Sequence, residues 1–309
     1  MVELAKQSAF IFSGTGTQKP GMGGDFYEQY PEFKRTYECA SDIFGFDVAK
    51  TAFNATSEEI SATAVSHRLI YAFEMGVFAV AAKRLPTPVA FAGHSLGEMA
   101  ALSACGVFNC EQGFMALKWR SQYLDDASEA VKGAMCAVLG ATPQAVAEAC
   151  QKTGGFVLPV NFNAPSQTVI SGDKGAVNDA VAALKEQGAR CMMLPVNVPF
   201  HTVRLKEASQ RLCESLKTLP LNPKPAAKFF CNVTGGEMTD FSNIAQYLAQ
   251  QMISPVLFTD EVNAMQKDGV TQYIEFGASK VLTGLVKKII KGSDTVNLDT
   301  AEAFNAYAK

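Results

Sequence analysis

The stretch Val89-Ala90-Phe91-Ala92-Gly93-His94-Ser95-Leu96-Gly97-Glu98 constrains this chain more than any other. A short apolar run, of the kind that forms a buried strand, stops at Gly93. Ser95 follows two residues on, then Gly97, and then Met99-Ala100-Ala101-Leu102-Ser103-Ala104, a composition that favours helix. Strand, sharp turn and helix around Gly-x-Ser-x-Gly make the elbow that lifts a serine hydroxyl clear of the backbone. Glycine on both sides lets strand and helix approach where side chains would collide. The helix starting there aims its unpaired N–H groups at the site and so favours developing negative charge. A plainer alternative is that Ser95-Leu96-Gly97-Glu98 is a Ser-x-x-Glu capping box, which only starts a helix. That alternative needs neither glycine nor an arriving strand, so a nucleophile is the stronger expectation.

Composition narrows the class. With 48% hydrophobic and 18% charged residues, 309 residues suit one large α/β unit, or a large one carrying a smaller one. A net charge of −3 and a pI of about 5.7 lack the footprint of a general nucleic-acid binder. Eight cysteines are scattered without a Cys-x-x-Cys pair, and three histidines argue against zinc, so no metal is expected. The N-terminus lacks the basic, apolar and small-residue succession of a leader, and no apolar run approaches ~18 residues, so no membrane span is expected. Reduced thiols in a cytoplasm are the simplest account.

Along the chain, Ala9-Phe10-Ile11-Phe12 reads as a first buried strand that breaks into the loop Ser13 to Gly24. P-loop spacing fails because no Gly-Lys-Ser/Thr follows, and dinucleotide spacing puts Lys19 where its last glycine belongs. What remains is a loop whose exposed backbone N–H can serve an oxyanion. Leu69 to Ala82, apolar on most sides, predicts a buried helix, with Ser66-His67-Arg68 just before it. In the helical stretch Phe114 to Ala127, a turn of ~100° per residue sets Ala116, Leu117, Tyr123, Leu124 and Ala127 on one side. Lys118, Ser121, Gln122 and Asp125 fall opposite. Arg120 sits in the middle of the apolar side. A rim arginine can snorkel, but an inward one needs an anion, because an unpaired buried charge is very costly.

Near Gly133 the pattern changes. Ala134 to Leu139 reads as strand, Pro143 to Lys152 as helix, Phe156 to Asn161 and Gln167 to Ser171 as strands, Lys174 to Gln187 as helix and Arg190 to Leu194 as strand. That βαββαβ order is ferredoxin-like. The expected fold is α/β, a hydrolase-like parallel-sheet core (1–131 and 199–309) with an inserted ferredoxin-like subdomain (132–198) and a cleft between them. A helix from Leu205 to Leu216 and strands at Phe229 to Val233 and Tyr273 to Phe276 complete the reading.

A serine hydroxyl needs a nearby base, normally histidine. The candidates are His67, His94 and His201. His94 adjoins Ser95, so at a sharp turn its ring should diverge from the hydroxyl. His67 can be a polar helix-start residue. His201 ends the Pro-bounded stretch Pro195 to His201. A Ser-His-acid hydrolase of the usual order places its acid between serine and a late histidine, and with 108 residues after His201 that order fits poorly.

Gly93-His94-Ser95-Leu96-Gly97-Glu98 resembles the active-site motif of malonyl-CoA:acyl carrier protein transacylases and of the acyltransferase domains of polyketide and fatty-acid synthases. Further motifs follow in matching order from about Phe10 to about Leu285. The family's Gly-Gln-Gly-x-Gln, then Gly-Met, is matched at Gly14, Gly16, Gln18, Gly21 and Met22, with Thr15 in place of a glutamine. Ser66-His67-Arg68 stands where relatives usually have Thr-Gln-Pro. Phe200-His201 matches the family's base, and Gln251-Met252-Ile253-Ser254-Pro255-Val256 matches the segment whose backbone carbonyl orients it. Asn161 to Gln167 is similar to a cleft-lining segment. The family's arginine, 25 residues after its serine, corresponds to Arg120 and grips the malonyl carboxylate through two parallel hydrogen bonds. Glu275 to Leu282 resembles a closing motif, with Ala278-Ser279 where Pro-Gly is usual.

The resemblance implies Ser95 as nucleophile, His201 as base and Gln251 in histidine orientation. It implies Leu96 and Thr15 as oxyanion donors, Arg120 on the substrate carboxylate, and Gln18, His67, His94, Asn163 and Phe200 around the pocket. The reaction would be ping-pong transfer of malonyl from malonyl-CoA to the phosphopantetheine thiol of an acyl carrier protein, through a malonyl-serine. The expected partners are that carrier and a coenzyme A thioester, with no cofactor, nucleic acid or membrane, for a cytoplasmic monomer. Two rivals stand beside it: an acyl-thioester hydrolase of the same fold, and a catalytically weak carrier-binding subunit. Thr15 and His67 are expected either to form a compensating pair, with the ring partly charged near neutral pH, or to leave a site that admits water.

Overall fold

The computed structural model describes residues 6–309, so the first five residues of the expected 1–131 segment lie outside the described part. The chain begins β1 (Ser8–Phe12), α1 (Gly24–Gln29), α2 (Pro31–Phe44), α3 (Val48–Asn54), α4 (Thr63–Ala81), β2 (Ala90–Gly93), α5 (Gly97–Ala104) and α6 (Cys110–Ala130). It continues with β3 (Ala134–Leu139), α7 (Pro143–Lys152), β4 (Val157–Ala164), β5 (Gln167–Gly172), α8 (Lys174–Glu186) and β6 (Arg190–Met193). Then come α9 (Lys206–Leu216), β7 (Lys228–Cys231), β8 (Gly236–Met238), α10 (Ile244–Ile253) and α11 (Phe258–Lys267). The last elements are β9 (Gln272–Phe276), α12 (Val281–Ile289), β10 (Asp294–Asn297) and α13 (Ala301–Tyr307).

The apolar runs of β1 and β2 are buried throughout or nearly so, as strands covered on both faces must be. They sit inside a six-stranded sheet of order β10-β9-β1-β2-β7-β8, parallel except for the edge strand β8. Strand alternation divides the core. Phe10 and Phe12 join Phe91 and Phe276 on one face, while Ala9 and Ile11 join Ala90, Ala92 and Val262 on the other. β8 (GEM) and β10 (DTVN) have no apolar alternation and no counterpart in the sequence reading.

Helix α4 starts at Thr63, well before the expected Leu69, so His67 lies inside it rather than ahead of it. Against the expectation of no such run, α4 is long and apolar enough, by length and composition, to cross a bilayer. Here it is a core helix, packed against α2, α5 and α6. Its apolar residues serve the interior that the aromatic side chains of α2 and β1 complete.

The inserted segment forms a four-stranded sheet of order β4-β5-β3-β6 with every pairing antiparallel. Residues of α7 and α8 cover one face of it, over Cys136, Val138 and Ile170. β4 extends past the expected Asn161 to Ala164, and register shifts at Pro159/Asn161 and Phe162/Ala164 bend it. Such irregularities re-aim side chains, here Asn163. The bent end of β4 is stitched to the segment after α10, where Val256 N–H donates to Val160 O at 2.8 Å and Phe162 N–H to Val256 O at 2.9 Å.

The glycines of the elbow are set by approach distance. A Cβ on Gly97 would run into the carbonyl oxygens of Phe12 and Ser13, and one on Gly93 into the Gly97 carbonyl. Gly97→Ala is therefore expected to lower stability by at least about 2 kcal/mol in urea denaturation. Gly284→Ala, in α12 where an added Cβ meets nothing within 4 Å, is expected to raise it by about 0.5–1 kcal/mol. A Gly97→Ala midpoint equal to the parent's would show that strand and helix have room to part.

Candidate active site

The elbow turns because Ser95 adopts a left-handed backbone, φ 56°, which is rare for a residue with a side chain. Helix α5 then starts at Gly97 with no side-chain cap. The capping-box alternative is not what forms. Ser95 Oγ lies 2.7 Å from His201 Nε2. Glu98 turns inward, where its Oε1 accepts from the Asn232 N–H at 2.8 Å and the Tyr247 hydroxyl at 2.6 Å.

His201 is buried and also has a positive φ, 61°. Its Nδ1 lies 3.0 Å from Ser254 O and 3.3 Å from Gln251 O. Carbonyl oxygens only accept, so Nδ1 carries the proton and Nε2 turns a lone pair toward the serine. The orienting segment is the expected one, but Ser254 makes the shorter bond. Gln251 adds its side-chain amide, which donates to Ser95 O at 2.9 Å. Burial first, then the charges of Arg120 and His94, push the His201 imidazole down to about 3. It is a neutral base at physiological pH.

Arg120 reaches inward from α6 and is buried. Its Nη1 has no partner, and no carboxylate lies within ion-pair distance of it among the described residues. Burial lowers its pKa to about 10, with the Glu98 charge opposing, so it remains a cation at neutral pH. A buried cation without a protein counter-ion leaves room for an anionic ligand. Ser121, expected on the outer side of the same helix, is instead fully buried. Arg68 Nε from α4 donates to its Oγ at 3.0 Å, because α4 covers that face.

The first loop packs directly on the elbow, since a Cβ on Gly14 would come 2.5 Å from His94 O. Thr15 Oγ1 is 3.0 Å from His67 Nε2, so the two departures from the family pattern meet as a hydrogen-bonded pair. The expectation of a partly charged ring does not hold. Burial, followed by the charges of Arg120, Arg68 and His201, holds His67 well below the usual histidine range. Its ring lies 6.1 Å from that of half-buried Phe200. Gln18 folds back on its own loop, accepting from Gly16 N–H at 3.1 Å, and no bond joins it to Ser95, His201 or Arg120. His94 Nε2 meets Asn163 Oδ1 at 2.7 Å, a clasp between the two sheets that turns its ring away from the serine hydroxyl.

The backbone N–H groups of Thr15 and Leu96 donate to no other described residue, whereas that of Ser95 is taken by Asn232 Oδ1 at 2.8 Å. Sequence reasoning missed Asn232, Tyr247 and Glu98. For Asn232 a signal existed. It is next to last in the expected strand Phe229 to Val233, so it sits near the C-terminal edge of a parallel sheet, where ligands and catalytic groups gather.

A family model described as acyl transferase domain matches residues 9–302. The chain is 34% identical over 306 residues to the malonyl CoA-acyl carrier protein transacylase of Haemophilus influenzae, covering 97% of this chain and 98% of that one. An acyl carrier protein S-malonyltransferase structure from Vibrio cholerae is similar at 36% identity and a TM-score of 0.92, over 98% of this chain and all of that one. A malonyl-transacylase in complex with its holo type II PKS acyl-carrier protein is similar at 30% identity and a TM-score of 0.93, over 97% of this chain and 98% of that one.

Two measurements follow from the geometry. His201 titrates below its ordinary value of 6.5, so it stays a base as pH falls through that value and protonates only near about 3. The acid limb for sulfonylation of Ser95 by phenylmethanesulfonyl fluoride should therefore lie below about pH 5 in a protein still folded by circular dichroism. A limb at 6.5 would mean the base is far more solvated than its burial indicates. Thr15→Val and His67→Phe, combined in a double-mutant cycle, should show a coupling of about 0.5–1.5 kcal/mol in unfolding free energy. Additive losses would show that the Thr15–His67 contact contributes nothing.

Proposed function

The chain belongs to the acyl transferase domain family, and on that footing we propose that it moves a malonyl group from malonyl-CoA to the phosphopantetheine thiol of an acyl carrier protein. The observation that carries this reading is Arg120, a buried guanidinium with no protein counter-ion, whose charge reaches the base of a hydrogen-bonded Ser95–His201 pair. A free carboxylate on the acyl group would fill that place through charge-assisted hydrogen bonds.

The chemistry runs in two halves. Ser95 Oγ attacks the thioester carbonyl as His201 Nε2 takes its proton. The N–H groups of Leu96 and Thr15 hold the oxyanion of the tetrahedral intermediate. The C–S bond breaks, coenzyme A leaves as the thiol with the proton from His201, and malonyl-Ser95 remains. The carrier thiol then gives its proton to His201 and attacks the malonyl ester. The Ser95 Oγ–C bond breaks and Ser95 recovers the proton. Carbonyls rather than a carboxylate hold His201, which suits a thiolate leaving group that needs little acid assistance. Every bond and proton in this sequence is supplied by Ser95, His201 and the two thiols, so no cofactor is invoked.

Brief exposure to malonyl-CoA should add one malonyl unit by intact mass, and Ser95→Ala should abolish it. Arg120→Ala should cost malonyl loading roughly 1.5–3 kcal/mol of transition-state binding, while acetyl-CoA, with no carboxylate, loses far less. Equal losses would make Arg120 structural. If the parent protein releases malonyl-Ser95 to water faster than to any carrier, the transferase reading fails and the hydrolase takes its place.

A further inference from the structure

We propose that Asn232 is a positioning residue for acyl transfer, fixing nucleophile and base relative to one another through its side-chain amide. Asn232 follows β7 directly, and β7 is the parallel neighbour of β2, whose end carries the elbow. It is fully buried. Its Oδ1 accepts from Ser95 N–H at 2.8 Å and from Gln251 Nε2 at 3.2 Å. Its Nδ2 donates to Gly93 O at 2.6 Å and to Glu261 Oε1 at 2.8 Å. Both donors and both acceptor positions of the amide are thus used. The opposite amide orientation would set N–H against N–H and oxygen against carbonyl, so the network admits one arrangement. The main chain is held as well, with N–H donating to Glu98 Oε1 at 2.8 Å and the carbonyl accepting from Leu257 N–H at 2.9 Å.

These bonds divide between the two halves of the catalytic pair. Gly93, Ser95 and Glu98 belong to the elbow. Gln251 lies in the last turn of α10, the end that also supplies the carbonyls holding His201 Nδ1. The Asn232 amide is therefore a direct bridge between the serine's backbone and the histidine's support. It also satisfies the Ser95 N–H, which the left-handed turn would otherwise leave without a protein partner in a crowded site. Without the amide, Ser95 and Gln251 lose a shared anchor and the 2.7 Å Oγ–Nε2 contact loosens. Arg120 belongs to α6 and shares no hydrogen bond with this network, so affinity for the acyl donor should be spared while the rate falls.

The test uses the full chain, and rests on the transferase reading only for its choice of malonyl-CoA. Asn232→Asp keeps the acceptor for Ser95 and Gln251 but sets an oxygen against both the Gly93 carbonyl and Glu261, and adding Glu261→Gln restores a donor at the second of these. Single-turnover malonyl loading of Asn232→Asp and Asn232→Ala should fall roughly 10–100-fold in maximal rate, with half-saturating malonyl-CoA within about 3-fold of the parent. The Asn232→Asp/Glu261→Gln pair should regain only the part of that loss that belongs to the Glu261 contact, since the Gly93 carbonyl still lacks its donor. Ser209→Ala removes a 2.7 Å bond to Ala249 O in α10, and should lower the thermal midpoint without slowing loading. Sulfonylation by phenylmethanesulfonyl fluoride gives a second readout, in which the Ser95 Oγ–S bond forms, the S–F bond breaks, fluoride leaves and His201 takes the proton. It should slow in parallel. A folded Asn232→Asp that loads and sulfonylates at the parent rate overturns the proposal, as does a Ser209→Ala that slows both equally at a matched midpoint. If Asn232→Ala does not fold, the Asp variant and the double variant decide. A parent that sulfonylates but never takes up malonyl defeats the transferase reading alone, and Asn232 is then judged by sulfonylation.

Discussion

Everything at the site depends on a backbone turn that an ordinary residue avoids. Ser95 and His201, the two residues that meet at 2.7 Å, are also the two non-glycine residues with positive φ among those described. A left-handed conformation costs each of them on the order of 1–2 kcal/mol, so the surroundings must over-determine it. For Ser95 they do so by exclusion and by attachment. Gly93 and Gly97 let strand and helix close on the turn from both sides, and the first loop presses on it at Gly14. Asn232 and Gln251 then hold its backbone N–H and carbonyl. The parallel sheet matters because it brings the ends of β1, β2 and β7 to one edge, where all these groups can meet.

A second constraint is the charge state of what is buried. Glu98, Glu261 and Glu74 are fully buried, and desolvation leads in raising each of them, Glu98 to about 8 and the others well above the ordinary carboxylate range. Burial disfavours the charged carboxylate in each case, and hydrogen bonds offset part of that cost. These come from Asn232, Tyr247 and Ser13. None of these acids forms a salt bridge with Arg120 among the described residues, although the Glu98 charge opposes part of the lowering of Arg120 by burial. Arg120 is the buried cation left over on α6, and its charge acts on His201.

The fold was legible where hydrophobic period and glycine placement agree. The elbow, the central strands and the βαββαβ order of the insert all follow from local pattern, because a strand buried on both faces and a helix with one apolar side write themselves in few residues. Arg120 was legible for the same reason, as a charge on an apolar face. The helix around His67 was read too short because Ser66-His67-Arg68 interrupts the apolar pattern with polar residues, although α6 and the first loop bury part of it. Tyr247 was invisible as a site residue, and Asn232 was marked only by its place near a strand end, because their roles come from tertiary contacts more than 100 positions from Ser95 and Glu98. Ser254 escaped because main-chain carbonyls carry no residue signature at all.

Arg120 ties these strands together in one electrostatic consequence. After burial, its charge is the largest cause of the depression of both His201 and His67. A like charge close to an imidazole disfavours the imidazolium, which is the form His201 must take while the serine attacks. On the proposed reading, an acyl group whose carboxylate sits on Arg120 cancels that repulsion as it binds. The base then becomes stronger in the complex that contains the right substrate than in the empty site. An acyl group without a carboxylate leaves the repulsion in place, so it meets a weaker base as well as an unfilled cation. Discrimination of this kind appears in the transition state rather than in binding alone. It also explains why a neutral His67 suits this chain, since a second cation beside Arg120 would compete for the same carboxylate and weaken the base further.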